Sequence, residues 1–368
     1  MVAPDSQKAA WVRLYGSGPV ALACALFLVR RGVPAQVIAL ETSTQEIPAA
    51  LNQRILALSE GSLQLLDRIC LRPEGGHIHT VEVSMQGHVG RTLIRADELG
   101  VPALGRVVRY PALLRQLRQA AQAHRWHAND PLHALSEAEG LQIHAEGDPG
   151  QDARMRDFGQ AALLAEVHAP QAPVDAQGSA HERFTAHGPL ALLPLPEHGS
   201  WSLVWCDQPE AGQRRLEAND TDLSRELNEV FGRRLGPLRV QGPRQCVPLV
   251  RKTRTHTTGA CEVWIGNAAQ ALHPVAGQGL NLGLRDAFEL AEQLGERWRA
   301  GQPASGLVDT WSAQRRRDRE GLIAMTDLMA SSFTWVAARP IQSLFLGALE
   351  VTGPARRVLA RTLMFGLR

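Results

Sequence analysis

The stretch that decides the fold runs from Gly266 to Asp286 and reads GNAAQALHPVAGQGLNLGLRD. An apolar run, Val263-Trp264-Ile265, enters it, and Ala287-Phe-Glu-Leu-Ala-Glu-Gln-Leu294 leaves it with helical spacing, so the order is strand, glycine-rich loop, helix. Gly277 and Gly279 flank Gln278, which lets the backbone come close to a flat ligand and turn its N–H groups outward. The helix behind adds the positive end of its dipole at the same place, so the loop suits an anion or the electron-rich edge of a ring. For a lone GxG the plainer reading is a turn that caps a helix. The length of the string argues here for a ligand.

A matching signal lies near the N-terminus. Gly16-Ser17-Gly18-Pro19-Val20-Ala21 follows the short strand Trp11–Tyr15 and opens a small-residue helix that continues to Val29. Ala21 stands in for the third glycine of a GxGxxG turn, a place that only has to let helix and strand pack closely. A second strand, Ala35–Leu40, ends on Glu41, about 20 residues past the loop, where an acid that holds a ribose hydroxyl is expected. Arg13 interrupts a first strand that a central parallel position would make apolar throughout, so it reaches an edge or the strand is strained.

Composition excludes several classes. With 368 residues, 44% hydrophobic and 21% charged, the chain can bury a large core in two or more lobes. A net charge of +2, with no basic stripe interleaved with aromatics, argues against nucleic acid as a partner. No apolar run reaches membrane-spanning length and the first eight residues lack the apolar core of a signal peptide, so a cytoplasmic protein is expected. Cys24, Cys70, Cys206, Cys246 and Cys261 are odd in number and lack CxxC spacing, which points to reduced, mostly buried thiols and no metal site.

Gly266–Asp286 resembles, nearly residue for residue, the second FAD-binding motif of the FAD-dependent aromatic hydroxylases, the class A flavin monooxygenases. Its variant with Asn267 and Gln270 is similar to the branch that acts in ubiquinone biosynthesis. The resemblance implies an α/β fold with a Rossmann-like FAD-binding lobe, a second β-sheet substrate lobe and a C-terminal helical segment. In chain order it implies FAD lobe at 1–77, 105–165 and 256–300, substrate lobe at 78–104 and 166–255, and helices at 301–368. For the cofactor, it implies Gly16, Gly18, Pro19 and Val20 at the pyrophosphate, Glu41 at a ribose and Arg54 at the FAD. Gly266 is implied at the cofactor as well, with Asn267 on the ribityl side, Pro274 over the ring, and Gly277, Gln278, Gly279, Leu280 and Asn281 at the pyrimidine, whose edge becomes negative on reduction. Asn267 replaces the family's commoner aspartate and keeps the hydrogen bonds without the charge. NAD(P)H as electron donor and a lipophilic, polyprenylated phenolic substrate are implied with it.

Other segments fit the same plan. Leu58–Ile69 reads as a helix, Ile78–Ile94 as a hairpin about Gln86-Gly87-His88, Glu98–Val108 as a crossing back to the first lobe, and Pro111 to about Ala123 as a helix. Phe184–Cys206 gives two strands about a turn at Pro196–Gly199, which would roof the flavin. Arg109 is either a cofactor contact or an exposed helix-start charge. His273 reads as a loop-packing residue, and no side chain stands out as an acid or base. The centre departs from the family: its Ala-Asp-Gly-x-x-Ser signature is reduced to Ala145-Glu146-Gly147 without the serine, and His124–Gln142 is short for the usual strands. That departure bears on reduction by NAD(P)H more than on FAD binding.

Two other readings share both glycine motifs: another FAD oxidoreductase of this fold, such as a halogenase or reductase, and a non-catalytic assembly partner. From Gly301 onward nine Arg against five acids give 9 − 5 = +4. The expectation there is helices packed on the FAD lobe. The alternative is a surface that meets a membrane or the proteins of a biosynthetic complex.

Overall fold

The computed structural model describes residues 11–38, 47–88, 90–124, 140–272, 277–332, 347, 350 and 352–366. Its first lobe is built on four parallel strands, with β1 (Val12–Tyr15) between β2 (Ala35–Ile38) and β8 (Leu141–His144), and β14 (Glu262–Trp264) beyond β8. Helix α1 (Pro19–Arg30) begins with proline, whose missing N–H costs nothing at that position, and its Ala21–Leu28 run is buried. The small residues let α1 lie close against α7 (Gln278–Arg299), while α4 (Tyr110–Gln122) flanks it.

Arg13 lies on a central strand and is not strained. Val12 and Leu14 face the core, so Arg13 and Tyr15 point the other way, where Arg13 Nε donates to Gln36 Oε1 on β2 at 3.1 Å. On the same face the Tyr15 ring stacks on His144 at 5.0 Å and His144 stacks on Trp264 at 4.8 Å. A parallel sheet is apolar on both faces only when apolar elements cover both; here one face carries rings and hydrogen-bonded polar chains.

The second lobe is an eight-stranded sheet in the order β15-β13-β9-β12-β11-β10-β5-β6. The strands are β5 (Thr80–Met85), β6 (Arg91–Arg95), β9 (Ala153–His168), β10 (Ser179–Phe184), β11 (Pro189–Pro194), β12 (Ser200–Asp207), β13 (Arg239–Arg254) and β15 (Gln270–Ala271). All pair antiparallel except β10 with β5. The β5–β6 hairpin turns on Gly87, whose φ of 74° only glycine adopts without cost. Helix α6 (Asp220–Phe231) packs Leu223 and Leu227 against the sheet beside Trp201, and α5 (Pro209–Glu217) lies over β9 and β13.

A three-stranded antiparallel sheet, β3 (Ile55–Ser59), β7 (Gly105–Arg109) and β4 (Gly76–Ile78), joins the lobes. Helix α2 (Ala49–Asn52) precedes β3 and α3 (Glu60–Asp67) follows it. The expected Leu58–Ile69 helix therefore starts later: Leu58 and Ser59 are strand, and the Ser59 hydroxyl caps α3 by accepting from Ser62 N–H at 3.3 Å.

The boundary expected at 165 also moves. Strand β9 belongs to the second sheet from Ala153 onward, so the chain crosses between lobes at 145–152, and Gln270–Ala271 returns to pair with β13. The first half of β9, ARMRDFG, is largely exposed and lacks a period-2 apolar pattern, which hid the strand. Helix α8 (Val308–Ser332) lies on α7 as expected, but α9 (Gly353–Phe365) packs at the joint of the lobes, against α3, β3 and β6, not on the first lobe alone. Among the thiols, Cys24 and Cys206 are buried and Cys70 is exposed, so burial is less general than expected. Among the described residues no helix is long and apolar enough to cross a membrane.

Candidate active site

The two lobes enclose a cavity of about 1800 Å³. One wall is made by two glycine-led helix starts. Helix α1 begins after Gly18 and α7 after Gly277, neither has a side-chain cap, and neither carries an acid in its first turn. Neither helix start is covered by a cap of its own, and both face the same space, as suits an anion-binding wall. A dinucleotide with an anionic pyrophosphate and an electron-rich ring edge fits that pair.

The glycines divide by role. A Cβ on Gly18 would meet nothing within 4 Å, and one on Gly279 only Asn267 Oδ1 at 3.8 Å, so at both places open ligand space adjoins the backbone. Gly16, with φ of 126°, would put a Cβ 2.5 Å from the Ala145 carbonyl oxygen. It serves close packing of the first turn against β8. Gly266 is likewise packing: it is buried, with φ of 58°, and Val20 fills the space above it and Gly283. Gly16 and Gly266 thus stand one layer behind the cavity wall, while Gly18, Pro19, Val20, Arg54, Asn267 and Gly277 to Asn281 line it. Glu41, His273 and Pro274 lie outside the described residues.

Asn281 works by clasping. Its Nδ2 donates to the carbonyls of Ala57 and Gly277, each at 2.9 Å, and its Oδ1 accepts from Ser59 N–H at 2.9 Å. With all three bonds internal, its side chain holds the α7 start onto β3 and has no donor left for a ring. Asp286 does the same for the preceding turn, accepting from Gln270 Nε2 at 3.0 Å, from Gly266 N–H at 3.4 Å and from Arg315 Nε at 2.9 Å. Burial by itself would lower the Arg315 pKa, but Asp286, Glu289 and Asp318 outweigh it and hold the guanidinium charged. Arg109 pairs with Glu166 of β9 at the start of α4 and is part-buried.

Ala145, Glu146 and Gly147 line the cavity at the C-terminal end of β8, beside the Gly16–Gly18 turn, where parallel sheets bind ligands. The shortened centre therefore still delivers a strand and a loop to that place. Glu146 is engaged by His144, and the two carboxylates of Glu146 and Glu262 raise the His144 pKa against the opposing effect of burial.

The opposite wall is the face of the large sheet, lined by Val81, Val83, Leu164, Phe184, Leu193 and Val204. Helices α8 and α9 close a third side with Met325, Leu359 and Leu363. Within the apolar wall stands Glu182, which burial pushes up to about 7. Sequence reasoning passed over it. The available signal was an acid at the position of β10 that shares a face with Ala180 and Phe184.

Comparison with known proteins agrees with this geometry. The model of the FAD binding domain matches residues 148–326. Ubiquinone hydroxylase UbiL of Rhodospirillum rubrum is 29% identical over the whole of this chain and 92% of its own length. The 3-demethoxyubiquinol 3-hydroxylase of Escherichia coli is 28% identical over 94% of this chain and 96% of its own. Among solved structures, p-nitrophenol 4-monooxygenase PnpA from Pseudomonas putida superposes with a TM-score of 0.71 over 98% of this chain and 99% of its own at 17% identity, which speaks to the fold. A parallel dinucleotide sheet joined to a large β-sheet across one cavity defines an FAD-dependent oxidoreductase. The chain is thus similar to the FAD binding domain family over residues 148–326 and, over nearly its whole length, to ubiquinone hydroxylases.

Proposed function

We propose that the chain hydroxylates a lipophilic, polyprenylated phenol in ubiquinone biosynthesis, with NAD(P)H as the electron donor. The observation that carries this reading is the cavity: its 1800 Å³ exceeds the roughly 300–1,000 Å³ of ordinary small-molecule sites, as a dinucleotide plus a long apolar substrate requires. The relatives named for ubiquinone hydroxylation span nearly the whole chain and support the substrate class. FAD held there would supply two-electron chemistry and the activation of molecular oxygen.

In this reading the backbone at Gly18 and Pro19 meets the pyrophosphate, Asn267 and Arg54 contact the cofactor, and Gly277 to Leu280 present N–H groups to the pyrimidine. Gly16, Gly266 and Asn281 hold those groups in place. The apolar sheet face and α9 exclude water from the ring. The lobes divide at 145–152 and near 255, with α8 and α9 as the last segment. The protein is cytoplasmic and meets a lipid surface through the outer side of α9, where Arg357, Val358 and Arg361 are exposed, and through Leu328 of α8, which is both exposed and part of the cavity wall. The deciding experiment mixes FAD-loaded protein anaerobically with NADH or NADPH and a prenylated methoxyphenol, then admits oxygen. Bleaching of the flavin and a product heavier by one oxygen are expected; a flavin that stays oxidised with every donor overturns the reading.

A further inference from the structure

The fold places one carboxyl group in the substrate wall without a partner. Alternation along β10 turns Glu182 toward the cavity with Ala180 and Phe184, while Arg183 faces the outer side with Glu82 and Ser84 and His181, whose ring lies beside Glu82, borders both spaces. Its cross-strand neighbours are Val83 on β5 and Ala191 on β11, both aliphatic. Among the described residues no hydrogen bond or ion pair reaches its carboxyl. Other charges on the cavity wall are engaged or exposed: Glu146 with His144, Glu166 with Arg109, Arg356 with Glu98 and Glu350, and Arg54 in the open.

An unpaired carboxyl facing an apolar space is costly, and nothing in the fold uses it. We propose that Glu182 receives the hydroxyl proton of the phenolic substrate and thereby fixes which end of the ring points at the flavin side of the cavity. This rests on the hydroxylase reading above. In the step, the phenol O–H bond breaks and an O–H bond forms on the Glu182 carboxylate. The electron pair left on the phenol oxygen is released into the ring, which raises its electron density as it accepts oxygen. No electron leaves or enters the pair, so the step needs no further reagent. The environment suits the role: burial brings the group to about 7, near the pH at which it must work, where a base is both available and strong enough.

The groups that bear on its titration are few. From β12, Cys206 faces it, and that thiol is pushed above its ordinary range by burial and then by Glu182 and Asp207. The facing positions of β5 and β11 carry no charge, β9 contributes Glu166 in its pair with Arg109, and α9 contributes Arg356 between Glu98 and Glu350.

The test uses FAD-loaded parent, Glu182→Gln and Glu182→Asp, with a prenylated methoxyphenol and its methyl ether. Infrared difference spectra of the resting protein should show a carboxyl band titrating near pH 7 that is absent from Glu182→Gln and that moves on adding the phenol but not the ether. With the phenol, kcat/KM of the parent should rise with pH through about 7, as the base becomes available. Glu182→Gln should lose that rise and about 10²–10⁴-fold in kcat while keeping its FAD content, and Glu182→Asp should keep the rise at a lower kcat. A Glu182→Gln enzyme with the parent's pH profile overturns the assignment and leaves the hydroxylase reading standing. A glutamine variant that loses FAD or stability also overturns it, by making the residue structural. A parent that binds and hydroxylates no phenol fails the hydroxylase reading itself, and this one with it.

Discussion

Two regions of the molecule treat charge in opposite ways. Between α7 and α8, Arg285, Asp286, Arg315 and Asp318 are each at most 6% exposed, and every carboxylate has a guanidinium within hydrogen-bonding distance: Arg285 Nε to Asp318 Oδ2 at 3.0 Å, Arg315 Nε to Asp286 Oδ1 at 2.9 Å. In the substrate wall, Glu182 faces apolar neighbours alone. The cluster is sealed in the core and fully paired, whereas Glu182 is half-buried, open to the cavity and without a partner among the described residues. Paired groups hold a loop where the ligand needs it, and the unpaired one is free to act on whatever enters.

Removing a cation from the first cluster should have the largest effect. Arg315→Met leaves Asp286 and Asp318 each short of a partner and should cost about 3–5 kcal/mol in denaturant unfolding. Because Asp286 also holds Gly266 and Gln270, the variant should lose FAD as well; a protein of parental stability would erase the contrast between the two regions.

Glu182→Gln should move stability the other way. Its carboxyl is raised from 4.5 to about 7 by folding, so the folded state favours the protonated form: the penalty is absent below 4.5, grows as pH rises, and is complete above 7. At pH 8 the glutamine variant should therefore be more stable by up to about 3 kcal/mol, and at pH 4 equal to the parent. Melting curves at the two pH values check this, and a variant less stable at pH 8 would mean a partner for Glu182.

The glycines sharpen the same contrast between scaffold and site. Gly16→Ala sets a Cβ 2.5 Å from the Ala145 carbonyl in a backbone region closed to alanine, and should destabilise by about 1–3 kcal/mol. Gly279→Val adds its side chain to open ligand space and should leave melting of the FAD-free protein within about 1 kcal/mol of the parent while abolishing flavin binding. Flavin content and apo-protein melting, measured together, distinguish them. The smallest effect is expected at the surface: Arg357→Gln should weaken sedimentation with anionic vesicles about fivefold without changing flavin content, since each basic residue near such a surface contributes about 1 kcal/mol.

Much of the architecture was legible because its signals are local. Both glycine turns, the hairpin at Gly87 and the α4 segment follow from residues adjacent in sequence, where φ and spacing decide. Less legible were the start of α3, where Ile55–Ser59 becomes strand only because β7 lies beside it, and the first half of β9, whose charged residues pair with β13 nearly a hundred positions away. Val20 and Asn281 carry packing work that their motifs did not show: one is a wedge against two glycines and the other a clasp to β3, and neither partner is near in sequence.

What the sequence alone determined is the place of the two glycine turns that line the cavity, since a backbone that turns sharply into a helix at an open wall needs glycine there whatever surrounds it. What only the tertiary structure decided is the meaning of each charge. Arg13, Asp286 and Glu182 are each a charged letter within a strand or helix; folding gives the first Gln36 and the second Arg315, and leaves the third facing the cavity. Whether a buried charge is scaffold or instrument depends on partners brought from distant strands, and the energy of a charge in a low-dielectric interior is set by those partners.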